Sequence, residues 1–292
     1  MRDVAVVQYH DHVCGWGEGL CWDADTGRLY FADCARNVVG VTTLNAPNNV
    51  KLIETPSMPT KVLLCGRPDA VLVVLDDGIY EIVDDICSSA AVIPKPAGAS
   101  ARFNDATVDP EGRIVTGNLG LTPNTDGAFW GWEKQDGWRQ LATAKGNANG
   151  PCFSEDGRTM FFADTPTGNI HAYEYDPAAG QASREVVFAN TFALNGAPDG
   201  AALDHEGGLW SAVYGAGVIA RYTPDGSLDT TISLPVRNPT DVIFAGPDLN
   251  RLIVTSSMEQ PDPNGKTTAL AGATFEVKGI GMSGLPIPSV AL

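Results

Sequence analysis

The sequence predicts an all-β fold, a six-bladed β-propeller of four-stranded antiparallel blades that forms a single domain over residues 1–292. Short runs of alternating apolar and polar residues, typical of half-buried strands, are separated by tight turns rich in glycine. A pattern of two successive hairpins recurs six times, about every 40–50 residues, which is the spacing of propeller blades. Helical periodicity over long stretches is absent.

The six repeats align on the turn that closes the first hairpin of each. Those first hairpins are GEGLCWDADTGRLYFAD from Gly17, TKVLLCGRPDAVLVVL from Thr60, NDATVDPEGRIVTGNL from Asn104, NGPCFSEDGRTMFFAD from Asn149, DGAALDHEGGLWSAVY from Asp199 and TDVIFAGPDLNRLIVT from Thr240. The fourth repeat is the clearest, since a Glu-Asp-Gly turn and a Thr-Gly turn separate its first three strands. We expect strands around Ala273–Val277 to pair with Met1–Gln8 and close the ring, which removes exposed sheet edges.

Composition excludes several classes of partner. The net charge is −16 and no run of Lys and Arg occurs, which argues against nucleic acid and anionic membrane surfaces. The start of the chain, MRDVAVVQYHDHV, lacks the continuous apolar stretch of a signal peptide, and no apolar run approaches the ~18–20 residues of a membrane helix. Six cysteines lie apart without a CxxC pair, so we expect a cytoplasmic protein with reduced, mostly buried thiols. The oligomeric state is left open.

A common offset from the turns identifies a candidate site. Eight residues before each turn, or nine in the first repeat, stands an oxygen-bearing side chain: Glu18, Thr60, Asn104, Asn149, Asp199 and Thr240. Because the first strand of each blade lines the channel of a propeller, equal offsets place these six residues at one depth around one axis. We call them the polar ring, and the pattern predicts one bound divalent cation at its centre. Carboxylate and amide oxygens are hard ligands, so Ca²⁺ is the expected ion, with Mg²⁺, Mn²⁺ or Zn²⁺ as alternatives.

The motifs that carry these residues identify a family. The segments GWGEGLCWDADTGRLYFAD, ARFNDATVDPEGR, NGPCFSEDGRTMFFADTPTGNIHAYEYD, GAPDGAALDHEGGLW and PTDVIFAGPDLNRLIVTS resemble the SMP-30/gluconolactonase/luciferin-regenerating enzyme family. The resemblance runs from about Gly17 to Phe275. It implies a six-bladed propeller with one divalent metal in the channel and an activity in lactone hydrolysis.

The resemblance also implies roles for particular residues. Glu18, Asn149 and Asp199 would be metal ligands, and Arg102 and Asn104 would contact a small lactone substrate, with Asn104 close enough to serve as a further ligand. Asp199 is the candidate catalytic base. Whether it removes the proton from water or a metal-bound hydroxide attacks directly is left open.

The lining of the pocket departs from the pattern of sugar lactonases. The segment from Gly117 to Leu121 is apolar where those enzymes often carry an acidic residue. Trp16, Leu121 and Tyr214 are therefore expected as further substrate contacts. A less polar pocket favours an alkyl-substituted γ- or δ-lactone at least as readily as an aldonolactone.

Two alternative functions are left open. One is a metal-dependent esterase or phosphotriesterase that uses the same ring, because a polarising cation serves both carbonyl and phosphoryl centres. The other is a calcium- or ligand-binding propeller without turnover. The His-x-His pair of His10 and His12 precedes the first repeat, and we assign it a surface or terminal position.

Overall fold

The protein is a β-propeller built from twenty-five strands among the residues that the structure, a computed structural model, describes: 4–96, 102–119, 127–144, 146–258 and 267–292. Two 3₁₀ turns, Thr165–Thr167 and Phe192–Leu194, are the helical elements of this part of the chain. Within the same residues no helix combines the length and the apolarity needed to span a membrane.

Four antiparallel sheets of four strands each form separate blades. The first contains β1 (Ala5–Val13), β25 (Ala273–Lys278), β24 (Arg251–Ser256) and β23 (Pro239–Ala245). The second contains β11 (Phe103–Val108), β12 (Ile114–Asn118), β13 (Gly127–Glu133) and β14 (Gly137–Ala144). The third contains β15 (Ala148–Phe153), β16 (Thr159–Asp164), β17 (Asn169–Asp176) and β18 (Gln181–Asn190). The fourth contains β19 (Ala197–Leu203), β20 (Leu209–Tyr214), β21 (Val218–Tyr222) and β22 (Leu228–Ser233).

The remaining nine strands form one continuous sheet. They are β2 (Gly17–Asp23), β3 (Arg28–Asp33), β4 (Val38–Thr43), β5 (Ala46–Glu54), β6 (Pro59–Leu64), β7 (Ala70–Leu75), β8 (Gly78–Val83), β9 (Ile86–Cys87) and β10 (Ile93–Pro94). A parallel pairing of Gly19 with Lys61 joins β2 to β6 and so links the first two sequence repeats.

The prediction of six four-stranded blades is therefore wrong, although the propeller architecture is confirmed. Four separate blades are present rather than six, because the first two repeats merge into the nine-stranded sheet. Gly19 permits the merger: its φ of +63° suits glycine, and a Cβ there would lie 2.7 Å from the carbonyl oxygen of Thr60. No sequence pattern within one repeat reports such an approach between two repeats.

The six inner strands, β2, β6, β11, β15, β19 and β23, contact one another in sequence around a closed ring. Each is interrupted where it carries its polar-ring residue, since the register with the outer neighbour shifts at that point in all six. A β-bulge re-aims a side chain and interrupts the ladder. The shared irregularity therefore removes the polar-ring positions from the regular pleat of the inner strands.

The ring of strands closes as predicted. β1 pairs with β25, with Ala5 opposite Lys278 and Gln8 opposite Phe275. Met1 lies outside the described residues. At the far ends of the inner strands the C-terminal segment crosses the channel, where the amides of Leu285 and Val290 donate to carbonyls of two different sheets. This segment therefore lies at the end of the inner strands opposite the polar ring.

Gly19→Ala tests the close approach that joins the first two repeats. Gly27 is a matched control, because its φ is also positive, at +68°, but an added Cβ meets nothing within 4 Å. We expect Gly27→Ala to lower the free energy of unfolding by about 1–2 kcal/mol through backbone strain. Gly19→Ala should cost a further ~1–3 kcal/mol, because its Cβ must displace backbone. Denaturant unfolding measures both, and equal losses would contradict the proposed contact.

Candidate active site

A small pocket of about 10 Å³ lies at the polar ring, and its volume matches one water-sized occupant. It is lined by Trp16, Glu18, Cys34, Met58, Thr60, Arg102, Asn104, Asp105 and Asn149. The structure therefore brings together residues from four repeats that the sequence analysis predicted to share one site. Asp199, predicted for the same site, is not among the lining residues. The two ring threonines differ from the rest, since Thr60 and Thr240 donate their hydroxyls to backbone carbonyls.

Hydrogen bonds hold the two ring asparagines face to face. The Asn104 side-chain amide donates to the Oδ1 atoms of Asn149 and of Asn147, the latter at 2.9 Å. Asn149 Nδ2 in turn donates to Thr165 Oγ1 at 2.9 Å, which fixes the orientation of its carboxamide. Asn147 and Thr165 support the site but were missed by the sequence analysis, because neither stands at the common offset.

Two carboxylates of the ring repel each other. Glu18 is partly buried and Asp199 is 7% exposed. Burial, followed by the charges of Asp199, Asp241 and Asp105, raises the pKa of Glu18 well above its usual range. Burial and the charges of Asp105 and Asp241 likewise raise the pKa of Asp199. Both carboxylates thus lie where a positive charge is missing.

A count of the charged side chains shows how much positive charge the site lacks. When all four mutually interacting carboxylates are ionised, namely Glu18, Asp105, Asp199 and Asp241, they face two cationic side chains, Lys61 and Arg102, which leaves a deficit of two positive charges. A divalent cation would supply that charge. Glu18, Asp199 and the amide oxygens of Asn149 and Asn104 are hard donors of the kind that Ca²⁺, Mg²⁺ and Mn²⁺ prefer. The residues present therefore fit such an ion.

Arg102 and Trp16 form the outer part of the site. The Arg102 guanidinium donates to Asn104 Oδ1 at 3.0 Å and lies 5.8 Å from the centre of the Trp16 ring. Trp16 Nε1 donates to Glu18 Oε1 at 3.1 Å. With 37% of its surface exposed, Trp16 offers an apolar face at the mouth.

The other predicted substrate contacts are not brought to this pocket. Tyr214 is not among its lining residues; it lies at the end of β20 and accepts a hydrogen bond from Asn238. Leu121 lies outside the described residues, so its predicted role is untested.

One buried ion cluster beneath the ring was not predicted. Lys61 Nζ lies 2.8 Å from Asp241 Oδ2 and 3.2 Å from Asp105 Oδ1, and all three side chains are more than nine-tenths buried. Asp105 also accepts from the amide of Gly150, and Asp241 accepts from that of Leu20, both at 2.9 Å. The cluster connects five inner strands across the axis. Extending the common offset by one residue would have found it, since the ring residues are followed by Gly19, Lys61, Asp105, Gly150, Gly200 and Asp241.

The two carboxylates keep the buried lysine charged. Burial acts to lower the pKa of Lys61, but the charges of Asp105 and Asp241 outweigh it and raise that pKa. Such a cluster is costly to break, because removal of one partner leaves buried charges without compensation.

The prediction of mostly buried thiols is confirmed, whereas the prediction for His10 is partly wrong. All six cysteines are free thiols, and five of them are buried while Cys87 is partly exposed. His10 is only 1% exposed, so the surface alternative of its predicted surface or terminal position is wrong, although it lies in the first strand. It packs in β1 against the Phe31 ring, with centroids 5.0 Å apart. One face of β1, the strand that closes the propeller, packs against the core. The position of His10 near the start of the sequence does not report this packing.

Known proteins resemble this chain in both sequence and structure. The family model described as the SMP-30/Gluconolactonase/LRE-like region matches residues 16–258. A pentonolactonase from Haloferax volcanii is 28% identical over 94% of each chain. A 6-deoxy-6-sulfogluconolactonase from Pseudomonas putida is 34% identical over 83% of this chain and 84% of its own. Among solved structures, a calcium-binding regucalcin from Agrobacterium tumefaciens is 26% identical, with a TM-score of 0.89 over 99% of this chain and 98% of its own.

Lys61→Met tests the buried ion cluster. We expect it to lower the free energy of unfolding at neutral pH by about 3–5 kcal/mol, because two buried carboxylates lose their counter-charge. Lys51→Met is the matched control, since Lys51 forms an exposed ion pair of the same type, with its Nζ 2.7 Å from Asp85 Oδ2. That surface pair should contribute about 0–1 kcal/mol. Similar losses in the two variants would show that burial adds nothing to the Lys61 interactions.

Proposed function

The chain belongs to the SMP-30/gluconolactonase/LRE-like family, and on that premise we propose that it is a divalent-cation-dependent lactonase that opens small sugar lactones to hydroxy acids. The charge deficit beside Asn149, Asn104 and Arg102 carries the proposal. Two relatives named for sugar lactones, a pentonolactone and a sulfogluconolactone, support the substrate class. The calcium-binding regucalcin supports the requirement for a cation.

The cation would be held by Glu18, Asn149 and Asp199, with Asn104 beside them. When bound, it supplies Lewis-acid polarisation of the lactone carbonyl. The buried amide network orients the Asn149 oxygen before any ion arrives, because Thr165 accepts the hydrogen bond of its amide group. A site oriented in advance loses little entropy on binding.

Hydrolysis requires one proton acceptor and one proton donor. Asp199 accepts a proton from water as the water oxygen adds to the carbonyl carbon. The bond between that carbon and the ring oxygen then breaks, and the ring oxygen takes the proton back from Asp199. The product is an open hydroxy acid. A single carboxyl group therefore serves both half-steps.

Arg102 and Trp16 hold the substrate in place. The guanidinium is planar and stays charged, so it can donate to a lactone oxygen and to the carboxylate that forms. Trp16 lies beside this guanidinium and beside Glu18, and its exposed face can cover the lactone ring. The pair restricts how a ring can enter the pocket.

A substrate and cation panel tests the activity. Chelated protein should be inactive, and added Ca²⁺, Mg²⁺ or Mn²⁺ should restore acid release in a pH-indicator assay. Pentonolactones and gluconolactone should exceed γ-valerolactone in kcat/KM, because only the sugar lactones offer hydroxyls to Arg102. Preference for γ-valerolactone would instead support the alkyl-lactone prediction from the sequence. No turnover of lactones, phenyl esters or phosphotriesters with any ion would refute the enzyme assignment.

Two substitutions separate the role of the base from that of substrate binding. Asp199→Asn should lower kcat by at least about 100-fold and also weaken Ca²⁺ binding, since the residue is both base and ligand. Arg102→Ala should lower kcat/KM by about 10- to 150-fold, because a charged hydrogen bond is lost, while Ca²⁺ affinity is retained or raised, because one competing positive charge is removed.

Isothermal titration and initial rates measure these effects. Asp225→Asn in an exposed turn and Arg184→Ala on β18 are the matched controls, and both should behave as wild type. Loss of the cation in Arg102→Ala, or full activity in Asp199→Asn, would contradict the assigned roles.

A further inference from the structure

A second cluster of metal-ligating side chains lies outside the polar ring, where β1 ends and β3 ends. His12 and Cys14 come from the first segment, and Asp33 is the last residue of β3. An imidazole nitrogen, the thiol sulfur and a carboxylate oxygen of these residues all lie within 4.8 Å of one another. We call this group the His12 cluster.

The cluster is enclosed but can be reached from solvent. Cys14 and Asp33 are both 0% exposed, whereas 18% of the His12 side chain is accessible. His12 Nε2 is buried without a hydrogen-bond partner, and it lies 3.9 Å from Asp33 Oδ2. A buried polar atom without a partner is costly unless something binds it.

We propose that His12, Cys14 and Asp33 bind a borderline-soft divalent cation such as Zn²⁺, at a site separate from the channel. Nitrogen and sulfur ligands distinguish it from the polar ring, whose donors are all oxygens. Binding breaks the Cys14 S–H bond and releases its proton to solvent; the thiolate, the neutral His12 imidazole and Asp33 then each donate an electron pair. A water entering past His12 completes the tetrahedron.

The geometry requires a modest contraction. Zn²⁺ lies about 2.0–2.3 Å from such ligands, so tetrahedral donor atoms are about 3.4–3.7 Å apart. The limit of 4.8 Å in the structure exceeds this by roughly 1 Å. A rotation of the partly exposed His12 side chain can bring its imidazole closer to the other two ligands.

Existing contacts of Asp33 orient it and also compete with the ion. Its Oδ1 accepts from the amides of Gly15 and Trp16, at 3.1 and 3.2 Å, which fixes the carboxylate. Oδ2 accepts from Gly15 as well and from Arg36 Nη1, at 3.1 and 2.7 Å. Arg36 is half-exposed, so a cation at Oδ2 can displace it into solvent. Burial raises the pKa of the Cys14 thiol, and the proton therefore stays on until a metal replaces it.

The site would influence the mouth of the channel through Trp16. Asp33 holds the Trp16 backbone, and the Trp16 indole donates to Glu18. A cation on Asp33 would restrict the segment that carries both. Zn²⁺ added in an activity assay would consequently occupy two places in the molecule.

Co²⁺ binding to chelated protein tests the proposal, because only a thiolate ligand produces sulfur-to-cobalt charge-transfer absorption. The titration is done in wild type and in Asp199→Asn, which weakens the channel site. Both should show the absorption. Cys14→Ser should abolish it, and the control Cys34→Ser, which removes the thiol that lines the polar-ring pocket, should retain it.

His12→Ala keeps the test valid if Cys14→Ser fails to fold, since His12 is partly exposed. Outer-sphere partners change metal affinity about 10- to 100-fold, so loss of a direct ligand should weaken Co²⁺ binding by at least about 100-fold. Zn²⁺ should also raise the unfolding temperature of Asp199→Asn but not of the same protein with His12→Ala. Folded wild type without charge-transfer absorption, or absorption that persists in Cys14→Ser, would overturn the proposal.

Discussion

The ion cluster of Lys61, Asp105 and Asp241 is the interaction on which the centre of the molecule depends. It lies at the axis, where inner strands from distant parts of the chain converge, and it bonds five of them through side-chain and backbone groups. Apolar packing joins neighbouring sheets in pairs, but it cannot specify how the strands meet at the hub. Charges buried in a low-dielectric interior can, because each must face its partner at short range.

This arrangement also determines the charge of the candidate active site. One lysine between two aspartates leaves the centre negative, and the polar ring adds Glu18 and Asp199, one position earlier along the inner strands. Arg102 returns only one positive charge. The resulting deficit, together with the amide oxygens of Asn149 and Asn104, is what makes the mouth of the channel suited to a divalent cation and, through it, to a polarised carbonyl. Stability and chemistry are therefore linked at adjacent positions of the same strands.

The two cation sites proposed for this chain differ in chemistry for structural reasons. The polar ring draws on strand starts at bulges, where short oxygen-bearing side chains fit around a narrow axis. The His12 cluster lies at the closing strand β1, where the ends of two strands bring larger nitrogen and sulfur donors together. Hard and borderline-soft ions would consequently partition between them.

The sequence by itself determined the strands, the repeat and the depth of the polar ring. Alternation of apolar residues is a local property that marks each strand. In a repeat protein, residues at equal distances from equivalent turns lie at the same depth along the axis. Glu18, Asn104 and Asn149 could therefore be assigned to one pocket from the sequence. Only the tertiary structure decided the merging of the first two repeats, the Lys61 cluster and the burial of His10. Each depends on which backbones approach which others: Gly19 meets Lys61 only after two repeats pack, and His10 is covered only after β1 joins β25. A sequence pattern does not report the distance between two repeats, and both burial and charge pairing depend on that distance.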